Sequence, residues 1–227
     1  MISVIIPAYI PTKRHHNYFL RSLKSLESQS HKDFEVICIL NGCYTDYEAV
    51  LESMKCVPLD VKTFCLESKT SGAIARNFGI KNCNGSYVAQ LDADDQYHPE
   101  KIERQIDFFF KNPEYDFVGT LAYDFENEGN IKNSCYLEGQ YMTHDQIADA
   151  IERENVMCHS SVMFKRSSFE KLGGYNEKNK PGSVWPELGI RMWEDWDLWQ
   201  RAVHAGMKLY NIPERLYYWS TGTSVER

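Results

Sequence analysis

Asp92-Ala93-Asp94-Asp95 crowds three carboxylates into four residues. The apolar run Tyr87-Val88-Ala89-Gln90-Leu91 before it reads as a strand, and His98-Pro99-Glu100 after it suits the first turn of a helix. Carboxylates packed at a strand end repel one another unless a cation sits among them. Hard divalent ions such as Mg²⁺ and Mn²⁺ take oxygen ligands, and Mg²⁺ commonly combines one or two carboxylates with substrate phosphates. The stretch therefore points to a metal site that receives a diphosphate. The plainer alternative is an acidic turn that caps the following helix.

The elements around this stretch alternate. Ile2–Ile6, Phe34–Leu40, Val61–Leu66 and Tyr87–Leu91 read as strands. Helical spacing appears over Tyr18–Ser28, Tyr47–Met54, Ser71–Lys81 and Glu100–Phe110, where Ile102, Ile106 and Phe109 share one face. This order predicts a mostly parallel sheet covered by helices on both sides. Ligands of such sheets bind beyond the carboxyl ends of the strands. Pro7-Ala8-Tyr9, Asn41-Gly42 and Asp92–Asp95 all fall there, so they should converge on one crevice. The second half is less regular. Phe117–Phe125, Ile131–Leu137 and Ser161–Phe164 read as strands, with a turn over Asn127-Glu128-Gly129-Asn130. Asp145–Arg153 and Met192–Ala205 read as helices, and Leu209–Ile212 and Leu216–Trp219 as closing strands. Leu172–Leu188, with Gly173-Gly174, Pro181-Gly182 and Pro186, reads mainly as loop.

Bulk composition narrows the function. The 227 residues suffice for one α/β core, and no linker argues for two domains. A net charge of −7, with Lys13-Arg14-His15-His16 the only basic run, argues against a nucleic-acid partner. No apolar run is long enough to span a bilayer, and the N-terminus enters a strand with no signal-peptide pattern. The seven cysteines form no Cys-x-x-Cys pair, which weakens a zinc reading. Cys38, Cys65 and Cys158 lie beside apolar residues and are expected to be buried. A reducing, cytoplasmic setting fits, with an acceptor able to hold the protein at the cytoplasmic face of a membrane.

Five local patterns occur in a fixed order. They are Val4-Ile5-Ile6-Pro7-Ala8-Tyr9, Ser71-Gly72-Ala73-Ile74-Ala75-Arg76-Asn77-Phe78-Gly79-Ile80, and Gly85 through Asp95. His159-Ser160-Ser161-Val162-Met163-Phe164-Lys165-Arg166, with Leu172-Gly173-Gly174-Tyr175-Asn176-Glu177 after it, is the fourth, and Trp193-Glu194-Asp195-Trp196-Asp197-Leu198-Trp199 the last. Together they resemble the family 2 glycosyltransferases of the GT-A fold, over nearly the whole chain. The resemblance implies a single Rossmann-like GT-A domain spanning 1–227. Residues 1 to about 115 would form the nucleotide-sugar-binding half, and about 116–227 a smaller mixed or antiparallel acceptor-binding half. It also implies transfer of a sugar from a nucleotide donor, a UDP-sugar foremost, to a hydroxyl of a glycan or glycoconjugate, with inversion and with Mn²⁺ or Mg²⁺.

Carried over position by position, Asp94 matches the metal-contacting aspartate, and Asp92 the carboxylate that holds the ribose or assists the metal. Ala93 lies between them. Asp95 would orient water on the metal or cap the next helix. The base that takes the acceptor's proton falls in Glu194-Asp195, with Asp195 at the matching position. That pair sits at an expected helix N-terminus, where the dipole favours an ionised carboxylate. The alternative is that both residues cap the helix. Arg76 is the donor-binding arginine, against a surface ion pair. Pro7, Ala8 and Tyr9 would border the nucleobase, with Tyr9 free to stack. Trp193, His159, Gly174 and Tyr175 are acceptor-side candidates, and Trp196 is expected in the core.

Two departures stand out. Ile39-Leu40-Asn41-Gly42 replaces the aspartate that the resemblance would have accept from uracil, with Asn41 or Leu40 in its place; the Asn41 amide both accepts and donates, which leaves guanine and thymine donors open beside uridine. No His follows Tyr217-Tyr218, which leaves a third protein ligand to the metal to water or donor phosphate. The basic segment Pro11–Asn17 reads as a loop, solvated or touching the diphosphate. Without the membrane helices of processive synthases, the chain fits an enzyme adding one sugar at a time, or one domain of a larger polypeptide. The alternatives are a degenerate nucleotide-sugar or glycan-binding domain and a sugar-nucleotide pyrophosphorylase. The pyrophosphorylase would need a Gly-rich loop after the first strand, yet no Gly occurs until Gly42.

Overall fold

A computed structural model describes residues 1–42, 47–127, 130–133, 140–178, 183–185 and 190–221. The order is β1 (Ile2–Ala8), α1 (Lys13–Glu27), β2 (Phe34–Asn41), α2 (Tyr47–Lys55), β3 (Val61–Leu66), α3 (Gly72–Lys81), β4 (Tyr87–Gln90), β5 (Gln96–Tyr97) and α4 (Lys101–Lys111). There follow β6 (Tyr115–Asn127), β7 (Asn130–Asn133), α5 (His144–Ala150), β8 (Met163–Lys165), α6 (Arg166–Lys171), β9 (Ser183–Trp185), β10 (Ile190–Met192), α7 (Glu194–His204) and β11 (Lys208–Ser220).

One sheet runs β3-β2-β1-β4-β8-β6-β11-β5, with β7 paired to β6. The pairs among β3, β2, β1 and β4 are parallel. β8 then lies antiparallel between β4 and β6, and β11 runs parallel to β6. Each face of the sheet has its own apolar core. Val4 and Ile6 point to a core shared with Phe19 and Leu23 of α1, Val50 of α2 and Ile102 of α4. Ile5 points to the other, with Ala73 and Ala75 of α3, Ile147 of α5 and Leu198 of α7. Strand alternation sends neighbouring residues to opposite faces, so one continuous apolar run serves two helix layers. Each fully buried side chain of this kind contributes roughly 1.5–3 kcal/mol.

Several boundaries differ from expectation. The basic segment is not a loop from Lys13 onward. α1 begins there, with Thr12 extended at its N-cap and His16 N–H donating to the Thr12 carbonyl at 3.1 Å. The two short closing strands are one strand, β11, whose register shifts between Ile212 and Arg215 and again before Tyr217. Pro213 lies in that interval and has no N–H for the ladder. α6 was not foreseen, and the segment expected to be mainly loop contains β9, which pairs with β10. A 3₁₀ turn, His159–Ser161, precedes β8. Cys65 is exposed, because β3 is an edge strand, while Cys38 is buried and Cys158 half-buried. Parts of the expected turn at 127–130, of the strand at 131–137 and of the loop at 172–188 lie outside the described residues, as do Cys43 and Cys135. No described helix is long and apolar enough to cross a membrane.

Candidate active site

A cleft of about 840 Å³ opens at the carboxyl ends of β1, β2 and β4. Pro7, Tyr9, Asn41, Arg76, Asp92, Ala93, Asp94, His159, Trp193, Glu194 and Asp195 all line it. Chain positions more than a hundred residues apart thus meet where the parallel strands end. Ala8 does not join them. Its side chain is fully buried in the core, because it alternates with Pro7 and Tyr9 along the strand. Gly174 and Tyr175 also lie off the cleft. Gly174, at φ +81°, turns a corner where its carbonyl accepts from Arg201 at 2.8 Å. Tyr175 is buried behind His159, its hydroxyl 2.8 Å from the His159 Nε2.

The acidic turn is not a cluster of three equivalent carboxylates. Asp92 accepts from Arg76 Nη2 at 2.6 Å. Asp95 is 2% exposed, borders the cleft, and does not cap α4, whose N-cap is Glu100. It accepts from the Tyr217 hydroxyl and from Ser220 N–H, the latter at 2.6 Å, and so ties the turn to β11. Burial, with Asp94 and Asp92 beside it, pushes the Asp95 carboxyl well up, against the pull of those two hydrogen bonds. The Asp94 carbonyl accepts from Arg21 Nη2 at 3.0 Å and from the Ser220 hydroxyl, which fastens the turn to α1 as well. Among the described residues no three His, Cys, Asp or Glu side chains form a metal-holding group.

Arg76 is 7% exposed, so it is no surface pair. Its second arm donates to Glu194 Oε1 at 2.9 Å, joining the acidic turn to the first turn of α7. Burial alone would lower the guanidinium, yet Asp92 and Glu194 more than offset it and raise it. Burial likewise favours the neutral Glu194, but Arg76 and then His159 outweigh it and hold that carboxyl below its ordinary value. Gly72 permits this approach, since a Cβ there would stand 2.5 Å from Arg76 Nη1 and 3.1 Å from Glu194 Oε1. Asp195, next in the chain, has a different partner. Its Oδ2 accepts from Asn155 Nδ2 at 2.8 Å. The N-cap of α7 is Trp193, whose side chain makes no capping bond. Trp196 lines the cleft at 6% exposure, with its Nε1–H donating to the Ile151 carbonyl.

Asn41 is committed to the chain itself. Its Oδ1 accepts from Thr70 N and Oγ1 at 2.8 and 2.9 Å, and its Nδ2 donates to the Thr70 carbonyl at 3.1 Å. This fastens the end of β2 to the segment before α3, and both lone pairs of the amide oxygen are taken. Tyr9 carries the Lys69 ammonium 3.9 Å from its ring centroid. Lys69, Thr70, His15, Tyr18, Asn155 and Trp219 line the cleft without having been singled out as site residues. Only His15 had a signal, as part of the basic run, and the start of α1 at Lys13 brings it inward. Burial lowers the His15 imidazole, with Asp94 pulling it up and Arg14 down. Cys158 also borders the cleft, and burial followed by Asp95 and Asp92 pushes its thiol far up. Behind the turn Lys101 is fully buried, donating to Gln105 at 2.7 Å and 3.9 Å from the Tyr97 ring centroid.

Residues 3–173 match the model for glycosyl transferase family 2. The chain is 30% identical over 209 residues to the O-antigen biosynthesis glycosyltransferase WbnJ of Escherichia coli, covering 90% of this chain and 72% of that protein. It is 26% identical over 222 residues to the amylovoran biosynthesis glycosyltransferase AmsE of Erwinia amylovora, covering 95% and 74%. It spans 66% of EpsE from Bacillus subtilis (strain 168), to which it is 26% identical. Among solved structures, S. aureus TarS 1–349 in complex with UDP-GlcNAc superposes with a TM-score of 0.75 at 17% identity, over 98% of this chain and 59% of that one. The mannosyltransferase PcManGT of Pyrobaculum calidifontis, in complex with GDP-Man and Mn²⁺, gives a TM-score of 0.71 at 14% identity, over 99% and 58%. The GT-A fold, the ordered motifs and the matched family model agree, and the chain belongs to glycosyl transferase family 2.

Proposed function

We propose that this chain transfers a sugar from a nucleoside-diphosphate donor, a UDP-sugar foremost, to a hydroxyl of a growing glycan or glycoconjugate, with inversion at the anomeric carbon. The observation that carries this is one cleft holding two carboxylate sites bridged by Arg76. In this reading Asp92 and Asp94 serve the donor and Asp195 the acceptor, all three lining the cleft. The acceptor oxygen bonds to the anomeric carbon while the bond from that carbon to the diphosphate oxygen breaks. The hydroxyl proton passes to Asp195, and the electron pair of the broken bond leaves with the nucleoside diphosphate. Glu194 is unsuited to receive the proton, because Arg76 already neutralises it.

The residues fit a divalent cation. Mg²⁺ or Mn²⁺ needs only one or two protein carboxylates when phosphates and water complete its shell, and Asp94 with Asp92 supplies them. Bound there, the ion would neutralise charge developing on the leaving diphosphate. Tyr9, with Lys69 over its ring, supplies an aromatic and cationic wall for the nucleotide. The acceptor class follows the names of relatives that concern O-antigen and amylovoran biosynthesis. A location on the cytoplasmic side, where nucleotide sugars are made, accords with this substrate.

The test is release of nucleoside diphosphate from a panel of UDP-, GDP- and dTDP-sugars with Mn²⁺ present, followed by transfer to oligosaccharide acceptors. Turnover of one donor, with UDP-sugars leading and an inverted product, is expected. Tight donor binding without turnover of any panel member overturns the catalytic reading.

A further inference from the structure

Resting on the assignment of Asp195 as base, we infer that Asn155 is the residue that positions it. Asn155 sits in the segment between α5 and the 3₁₀ turn, and it touches Asp195 across 40 positions of sequence. Its Nδ2 donates to Asp195 Oδ2 at 2.8 Å, while its Oδ1 accepts from Met157 N–H at 3.3 Å. The second bond fixes which way the amide faces, with the NH₂ toward the carboxylate.

The segment itself is clamped from two sides. The Ile151 carbonyl accepts from Trp196 Nε1 at 2.5 Å and from Gln200 Nε2 at 3.2 Å, both on α7. The Val156 carbonyl accepts from Asn211 Nδ2 of β11 at 2.9 Å. Asn155 is therefore carried on backbone held to the same helix that carries Asp195, and the distance between them is set by that clamp.

The amide does what a cation could not. A guanidinium would hold the carboxylate but also neutralise it, as Arg76 does for Glu194. A neutral amide orients the group and leaves its charge available. With Oδ2 committed to Asn155, Oδ1 is the oxygen that meets the acceptor hydroxyl in the cleft. Asn155 touches neither the reacting atoms nor the donor in this scheme, and it acts through Asp195.

The experiment compares Asn155→Ala and the near-isosteric Asn155→Asp, alone and in the Asp195→Asn background. The readouts are kcat and KM for the donor that the panel selects, donor affinity by calorimetry, and a crystal structure of each Asn155 variant. Losing a hydrogen bond to a charged group should lower kcat about 10- to 100-fold. Donor KM and affinity should stay at the wild-type level, and the Asp195 carboxylate should turn from its wild-type orientation. In the Asp195→Asn background the same substitutions should cost almost nothing more, because their effect runs through the carboxylate. Equal losses in both backgrounds, or an unmoved carboxylate with wild-type kcat, overturn the inference. If Asp195→Asn itself keeps wild-type turnover, the base assignment fails instead. Without any turnover, the carboxylate orientation in the variant crystals still decides the positioning question.

Discussion

The acidic turn and the first turn of α7 meet at Arg76, and they treat neighbouring carboxylates in opposite ways. In the acidic turn, Asp95 is buried against Tyr217 and Ser220, so one acid of three serves as an anchor for β11. Asp92 is paired with a cation, and Asp94 borders the cleft. In α7, Glu194 has the cation and Asp195 has an amide. Residues of one chemical type, one or two positions apart, thus acquire different partners and different surroundings. Partners chosen by the tertiary structure set this difference, because an adjacent opposite charge favours ionisation and burial opposes it.

The largest expected effect is at Asp94. Asp94→Ala should abolish transfer and remove metal-dependent donor binding, and EDTA should do the same to the wild type. Full turnover in EDTA would leave the acidic turn a purely structural feature.

Next comes the contrast inside α7. Asp195→Asn keeps shape but loses the proposed base, and should cost about 10²–10⁴-fold in kcat with donor affinity little changed. Glu194→Gln should act mainly by leaving Arg76 half-paired, with a smaller loss of kcat. The reverse ranking in steady-state kinetics would exchange the two roles.

Arg76 is the link between the two regions. Arg76→Met leaves two half-buried carboxylates facing each other without their cation, which should destabilise the fold by roughly 1–3 kcal/mol. Urea unfolding measures this. A midpoint within error of the wild type would mean that both carboxylates find other partners or water. The stability that Glu194 draws from Arg76 is present above the ordinary glutamate range. It should fade as pH falls through the lowered folded value.

The smallest effect is behind the turn. Burial drives the Lys101 ammonium well below its ordinary value, so the unfolded chain binds that proton more tightly than the folded one. The penalty is therefore full below the folded value and lessens as pH rises toward the ordinary lysine range. Lys101→Met should flatten this rise, while leaving the Gln105 Oε1 without its donor. Thermal midpoints of both proteins across a pH series check it, and parallel curves for the two would remove Lys101 as the cause.

The first half of the molecule was legible to within a few residues. β2, β3, α3 and α4 lie close to where strand runs and helical spacing put them, since β2, α3 and α4 bury an apolar face visible in their own segments and β3 half-buries Val61, Phe64 and Leu66. The meeting of Tyr9, Asn41 and Asp92 followed from the rule that such strands expose their carboxyl ends to ligands. The second half was harder. Pro213 divides β11 in the sequence but only shifts its register in the sheet, because β6 holds both parts. Asn155 was invisible, since no spacing relates it to Asp195.

Sequence by itself determined the family, the strand-helix order of the first half and most of the acids in the cleft. Residue type and local periodicity carry that information directly. Only the tertiary structure decided which acid is buried under Tyr217, which is neutralised by Arg76 and which is held by an amide. It also fastened Asn41 to Thr70 at the edge of the cleft and brought His15 into it. Such choices depend on hydrogen-bond distances between segments far apart in the chain, and the strength of each interaction falls away within a few ångströms.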